Sequence, residues 1–104
     1  MSGAANPVRG EASLHLGGIP LVLRPSFEAL VAAEAELGPL FALVERAAAG
    51  RLALGEMVAL FWHCLKDPPE ALAREHFAER IVEAGLAAVT PALKALIGQI
   101  LGGR

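Results

Sequence analysis

Apolar and polar residues alternate from Glu11 to Leu16, and Gly17-Gly18 separates this stretch from the apolar residues Ile19, Leu21 and Leu23. Alternation with a period of two is typical of a half-buried β-strand. A two-glycine loop suits a type I′ turn, in which both central residues need positive φ. Pairing the strands across this loop places Leu16 opposite Ile19 and brings six apolar side chains to one face. These residues are Ala12, Leu14, Leu16, Ile19, Leu21 and Leu23. The sequence therefore predicts an N-terminal β-hairpin.

The open end of the predicted hairpin lies where the chain changes from extended to helical spacing. Glu11 falls opposite Arg24 in this register, and a cross-strand pair of opposite charge contributes roughly 0.2–1 kcal/mol. Pro25 keeps Arg24 out of the α region and so ends the strand. A lone hairpin is marginally stable in water. We therefore expect its apolar face, with Leu23 and Phe27 on either side of the corner, to enter a core formed with the helices.

Apolar residues recur at helical spacing in five segments after Pro25. The predicted helices cover residues 27–37, 39–50, about 56–66, 69–84 and about 90–101. Ser26 is the expected N-cap of the first helix, and Thr90 before Pro91 predicts the start of the fifth. The third is apolar nearly all round, as expected for the centre of a bundle or for a partner contact. The predicted fold is mainly α, with the hairpin packed on a bundle of four to five short helices.

Length and composition favour one small helical domain. The chain has 104 residues, of which 55% are hydrophobic and only 5% aromatic, which favours packed helices over a sheet sandwich. We expect a disordered leader at residues 1–8 and a single domain at residues 9–102. The formal net charge of -2 gives no electrostatic case for binding nucleic acid or an anionic membrane. We expect a soluble protein of the cytoplasm.

The residues capable of catalysis form no recognisable constellation. His15, His63 and His76 lack the i,i+4 spacing of helical metal ligands. Cys64 is the only cysteine, so neither an intramolecular disulfide nor a zinc site built on several cysteines is possible. It lies in an apolar helix, where a free cysteine usually behaves as a small core side chain. We predict a protein that is not an enzyme, with no metal and no cofactor.

Two features are candidates for contact with a partner. Trp62 is either a core residue or an aromatic anchor of the kind enriched at interfaces. The fifth predicted helix has a narrow apolar stripe and follows the last acidic residue, Glu83. That stripe either packs within the domain or offers itself to another protein. The candidate partner-binding residues are Trp62, Leu93, Leu96, Ile97, Ile100 and Leu101.

Several short segments closely resemble one protein family, and their order and spacing carry the likeness. They are Arg9-Gly10-Glu11, Gly17-Gly18, LVLRPSFEAL at residues 21–30, EAELG at 34–38 and IVEAGL at 81–86. Together they span most of the chain, roughly residues 9–102. The family is that of the small proteins of gene transfer agent and related phage tail clusters in α-proteobacteria, known as tail assembly chaperones or tail tube proteins.

The resemblance implies an assembly factor that binds the tail tape measure protein and keeps it soluble during tail assembly. No cofactor or enzymatic step is implied, and a homo-oligomer is possible. The alternative is a structural tail component, associated with the tail tube. Tail tube proteins are built on β-sandwiches, which one hairpin cannot supply. A third hypothesis, a small enzyme using His63, Cys64 or His76, has no support from a motif.

Overall fold

The computed structural model describes Asn6 and residues 10–102 of the chain. Apart from Asn6, the predicted leader lies outside the described residues. The elements in this part of the chain are β1 (Ala12–Leu16), β2 (Ile19–Leu23), α1 (Phe27–Leu37), α2 (Leu40–Ala48), α3 (Leu54–Cys64), β3 (Leu65–Lys66), α4 (Arg74–Ala84) and α5 (Leu86–Gly102). The predicted fold class is confirmed: an N-terminal antiparallel hairpin packs on helices.

The hairpin has the predicted register, with Leu16 paired to Ile19 across the turn. Gly17 and Gly18 have φ values of 56° and 81°, the region that both central residues of a type I′ turn require. Five of the six apolar residues are buried as predicted. The exception is Ile19, which is 39% exposed, because it follows the turn directly and lies on the rim of a cavity beside α4 rather than in the core.

A third strand replaces the predicted end of the third helix. The helix was expected to reach Lys66, but α3 ends at Cys64 and β3 pairs antiparallel with β2. The Arg24 N–H donates to the Cys64 carbonyl at 2.7 Å, which extends the contact between the β2 end and the start of β3 by one more backbone hydrogen bond. The sheet order is β1-β2-β3, so β3 satisfies backbone groups along the free side of β2. Helical periodicity could not show this pairing, since the paired residues are 42 (Leu23 and Leu65) and 44 (Val22 and Lys66) positions apart in sequence.

The third strand also changes the partner of Glu11. The predicted cross-strand pair with Arg24 is wrong: Lys66 Nζ donates to Glu11 Oε2 at 3.1 Å, and the Asn6 N–H donates to Oε1 at 2.9 Å. Burial raises the pKa of Glu11, but these two hydrogen bonds and the nearby positive charges outweigh it and leave that pKa below its usual value. Arg24 contributes only a longer-range attraction and is exposed.

Helix α1 begins and ends where predicted, but its first residue does not enter the core. Ser26 Oγ accepts a hydrogen bond from the Ala29 N–H at 3.1 Å, which confirms the N-cap. Phe27 is 85% exposed, against expectation. The fully buried residue of α1 is Ala33, and six residues at about 100° each place the two side chains about 120° apart around the helix.

Helices α4 and α5 begin at different residues from those predicted. Helix α4 starts at Arg74 instead of Pro69 or Glu70, because the preceding residues form a turn closed by the Leu72 N–H and the Pro69 carbonyl. Helix α5 starts at Leu86 instead of Thr90. Gly85, at φ 92°, lets the chain turn by 114° between the two helices, so a new helix can begin at once.

Thr90 and Pro91 therefore lie inside α5 rather than at its start. The Thr90 hydroxyl donates to the Leu86 carbonyl at 2.7 Å, which is the bond that a mid-helix threonine makes with the residue four positions earlier. Pro91 lacks an N–H for the Ala87 carbonyl, but both residues are exposed, so water can reach that carbonyl. The turn at Gly85 therefore starts the helix at Leu86, before the cap that Thr90 and Pro91 predicted.

The core is centred on α3, as its nearly uniform apolar surface predicted. Helices α1 and α4 pack on α3, and α5 packs on β1 and α4. The largest fully buried side chains come from the hairpin and from helices α2 to α5: Phe61, Phe77, Leu14, Leu16, Leu23, Leu43, Leu60, Ile81, Leu96, Val89 and Cys64. The hairpin and the helices thus share one hydrophobic core.

The hairpin supplies a matched test of this core, since Leu16 and Ile19 are cross-strand partners with unequal burial. Leu16 is 1% exposed, and we expect Leu16→Ala to lower the free energy of unfolding by about 2–5 kcal/mol through lost contacts and a residual cavity. Ile19→Ala is expected to cost about 1 kcal/mol or less. Urea unfolding followed by Trp62 fluorescence measures both, and equal losses would contradict the docked arrangement.

Candidate partner-binding groove

The six predicted partner-binding residues do not share one environment. Leu96 is fully buried, and Ile97 is nearly so. Trp62, Leu93 and Ile100 are partly buried, while Leu101 is 63% exposed. Leu96 is therefore part of the core of the domain, and a charged substitution there would disrupt the fold rather than report on a partner.

Helix α5 carries two neighbouring apolar stripes, one that faces the core and one that lines an open groove. Val89, Ala92 and Leu96 form the buried stripe. Leu93, Ile97 and Leu101 form a second stripe at i, i+4 and i+8, which lines an open groove. Residues with these spacings share a face of a helix, so one amphipathic pattern in the sequence corresponds to two surfaces in the structure.

The other wall of the groove comes from the end of α2, the following connector and the start of α3. The groove has a volume of about 580 Å³. Its lining residues are mostly small or apolar: Ala47, Ala48, Gly50, Leu52, Leu54, Met57, Leu86, Thr90, Leu93, Lys94, Ile97, Gly98 and Leu101. The sequence does not indicate this wall, because residues 51–55 show no helical period and are typical of a connector.

Large apolar side chains remain exposed along the groove. Leu54 is 44% exposed and Leu86 is 53% exposed, in addition to Leu101. Lys94 is the one charged residue among the lining residues that the structure describes. A concave, largely apolar surface with few polar groups is the usual form of a binding site.

Trp62 lies elsewhere, against the core. Its ring centroid is 5.6 Å from that of Phe77 on α4, with the planes tilted by 50°, a favourable arrangement for an aromatic pair. Phe77 is fully buried. Trp62 thus helps to join α3 to α4 and does not line the groove.

Two exposed aromatic residues lie outside the groove lining. Phe27 at the start of α1 and Phe41 at the start of α2 are each 85% exposed. The sequence pattern predicted that Phe27 would enter the core, and it gave no indication of a role for Phe41. A second cavity, of about 560 Å³ between the hairpin and α4, has a mixed lining that includes His76, Glu79 and Arg80.

Two of the side chains considered for catalysis, Cys64 and His63, are held in structural contacts, whereas His76 is exposed. Burial raises the pKa of the Cys64 thiol to about 12, so it is protonated at neutral pH and a poor nucleophile. His63 Nε2 lies 2.8 Å from Glu36 Oε1, and Arg74 donates to Glu36 Oε2 at 2.5 Å. Glu36 therefore ties α1 to both α3 and α4. No cluster of three or more potential metal ligands occurs among the described residues.

None of the helices in the described part of the chain is long and apolar enough by itself to cross a membrane. Helices α4 and α5 together would meet the criteria of length and apolar composition, but they are joined at a bend of 114°.

A small helical domain with an open apolar groove is the class of protein expected to act by binding another protein. The family that matches the chain agrees with this class: the family described as phage tail tube protein, GTA-gp10, matches residues 9–103. The chain belongs to this family of phage and gene transfer agent tail proteins. The search of curated proteins and the search of solved structures found no match.

The Glu36 bridge generates a prediction about pH. The hydrogen bond from Arg74, followed by that from His63, lowers the pKa of Glu36 from 4.5 to about 2. A lowered pKa in the folded state means that the carboxylate stabilises the fold above its unfolded pKa and loses this effect as pH falls towards 2. We expect Glu36→Gln to be less stable than the wild type at pH 7, with a difference that shrinks between pH 4.5 and pH 2.

Thermal unfolding of both proteins across this pH range measures the difference. Glu45→Gln is the matched control, because Glu45 is exposed on α2 and has no side-chain partner among the described residues. This control should follow the wild type at every pH. A difference between wild type and Glu36→Gln that does not change with pH would contradict the assigned role of the carboxylate.

Proposed function

We propose that this tail protein is an assembly chaperone that binds helical segments of the tape measure protein through the groove between α5 and the α2–α3 connector. The observation that supports this function is the groove itself, with an apolar lining and exposed leucines on both walls. Membership of a tail protein family supports a partner among tail proteins, and a long helical protein offers the segments that such a groove would bind.

The groove has dimensions that suit a helix. Its lining on α5 extends from Leu86 to Leu101, which is about 22 Å at 1.5 Å per residue. An amphipathic helix of about four turns would cover that length and bury its apolar face, as in other helix-in-groove complexes. Such binding would shield apolar surface on both proteins and so oppose aggregation.

In the proposed function, the protein binds its partner in the cytoplasm and catalyses no reaction. Protonation of the buried Cys64 thiol and the pairing of His63 with Glu36 support this part of the proposal. Both side chains are explained by their structural contacts, so neither requires a catalytic role.

A structural role in the tail is the second candidate. Phe27 and Phe41 favour it, because exposed aromatic residues are enriched at protein interfaces and these two lie outside the groove lining. The family description also names the tail tube. In this role the protein would remain in the particle after assembly.

Substitutions at the groove test the chaperone function. Leu86→Asp combined with Leu101→Asp places two charges on exposed positions of the lining, so the domain should stay folded while its affinity for the tape measure protein falls by at least about tenfold. Co-expression and co-purification with the tape measure protein measures the loss, and circular dichroism checks the fold.

Two further variants make this test specific. Gly98→Gln adds a side chain in the groove where a Cβ meets no atom within 4 Å and replaces glycine by a better helix former. It should weaken capture without destabilising the domain. Phe27→Asp with Phe41→Asp removes apolar groups that are even more exposed but lie outside the groove, and it should leave capture unchanged. Capture that survives both groove variants would show that the groove is not the binding site.

The two candidate functions also differ in where the protein is found after assembly. A chaperone should be absent from purified particles, or present far below the amount of the tail tube subunit. A structural component should be present in a fixed ratio to that subunit. Quantitative mass spectrometry of purified particles measures this ratio, and a stoichiometric amount would favour the structural role.

A further inference from the structure

We propose that the groove selects a helix whose apolar stripe is flanked by acidic residues, through Lys94 on one wall and Arg51 on the other. This inference rests on the proposed function and specifies the chemistry of the partner. Lys94 lines the groove on α5. Arg51 lies between Gly50 and Leu52, which both line the opposite wall.

Neither cation is engaged within the described part of the chain. The ion pairs of the domain join Arg46 to Glu56, His63 and Arg74 to Glu36, and Lys66 to Glu11. Arg51 and Lys94 are exposed and form no ion pair with any described residue. Their charges are therefore available to a ligand in the groove.

Both walls also lack acidic residues, which makes the local charge opposite in sign to that of the whole chain. The formal net charge is -2, yet neither α5 nor residues 47–55 contain an aspartate or glutamate. Glu56, just beyond the connector, is paired with Arg46. The charged residues of these two segments, Arg51 and Lys94, are thus both positive.

The occupant that fits this surface is an amphipathic α-helix of another tail protein. Its apolar residues at i, i+3, i+4 and i+7 would lie on Leu93, Ile97 and Leu101, and aspartate or glutamate on its flanks would face Lys94 and Arg51. The apolar contacts provide most of the affinity, while the charges select the partner and its orientation. A helix with basic flanks would bind more weakly, because its charges would be repelled by Lys94 and Arg51.

Two synthetic peptides of about 18 residues, long enough to span the groove, test this inference. Both carry the same leucine stripe, one flanked by glutamates and the other by lysines, and binding is measured by fluorescence anisotropy at low and high salt. We expect the glutamate peptide to bind roughly two- to thirtyfold more tightly, as two exposed ion pairs allow. The preference should shrink as salt screens the charges.

Charge reversal in the protein provides the decisive comparison. Arg51→Glu with Lys94→Glu should invert the preference, so that the lysine peptide binds more tightly. Arg80→Glu, on the separate cavity beside the hairpin, is the control for a charge reversal elsewhere and should preserve the original preference. Equal binding of the two peptides, no binding of either, or a preference that the double reversal leaves unchanged would overturn the inference.

The oligomeric state tests the other possible occupant, a second copy of this chain. Sedimentation velocity of the wild type and of Leu101→Asp should show a monomer in both. A wild-type dimer that dissociates in the variant would overturn the inference, because a second copy would then fill the groove. The proposed function has its own readout: if the peptides show no acidic preference but the tape measure protein is still captured through the groove, only the acidic preference is wrong.

Discussion

The apolar face of the β1–β2 hairpin has to be buried, and the arrangement of the helices follows from that constraint. A two-stranded hairpin is unstable alone, and five side chains from this one lie in the common core. Helix α5 packs on β1, and β3, which follows α3 directly, pairs with β2. The hairpin is therefore held from both sides by elements distant in sequence, and the bond from Arg24 to the Cys64 carbonyl adds to that attachment.

This packing accounts for the groove. Helix α5 uses one apolar stripe, around Leu96, to cover the hairpin, and the adjacent stripe is left facing the α2–α3 connector without filling the space between them. The exposed apolar surface of the groove thus adjoins the stripe of α5 that faces the core.

Charged residues divide into two groups with different roles. Glu11 and Glu36 are paired with cations from other elements, and each joins segments far apart in the chain. Lys94 lines the groove, Arg51 lies between two of its lining residues, and neither forms an ion pair with a described residue. The paired charges contribute to the fold, whereas Arg51 and Lys94 remain exposed.

The sequence by itself determined the hairpin register, the extent of α1 and the tail protein family, because these depend on periodicity, turn chemistry and motifs that are local in the chain. It left open whether α3 would lie at the centre of the core or contact a partner. Of the candidate site it identified Leu93, Ile97 and Leu101, but not which of the α5 residues the core would take. The tertiary structure alone decided the third strand, the pairing of Glu11 with Lys66 and the second wall of the groove. Each of these depends on contacts between segments far apart in sequence, which no local pattern records.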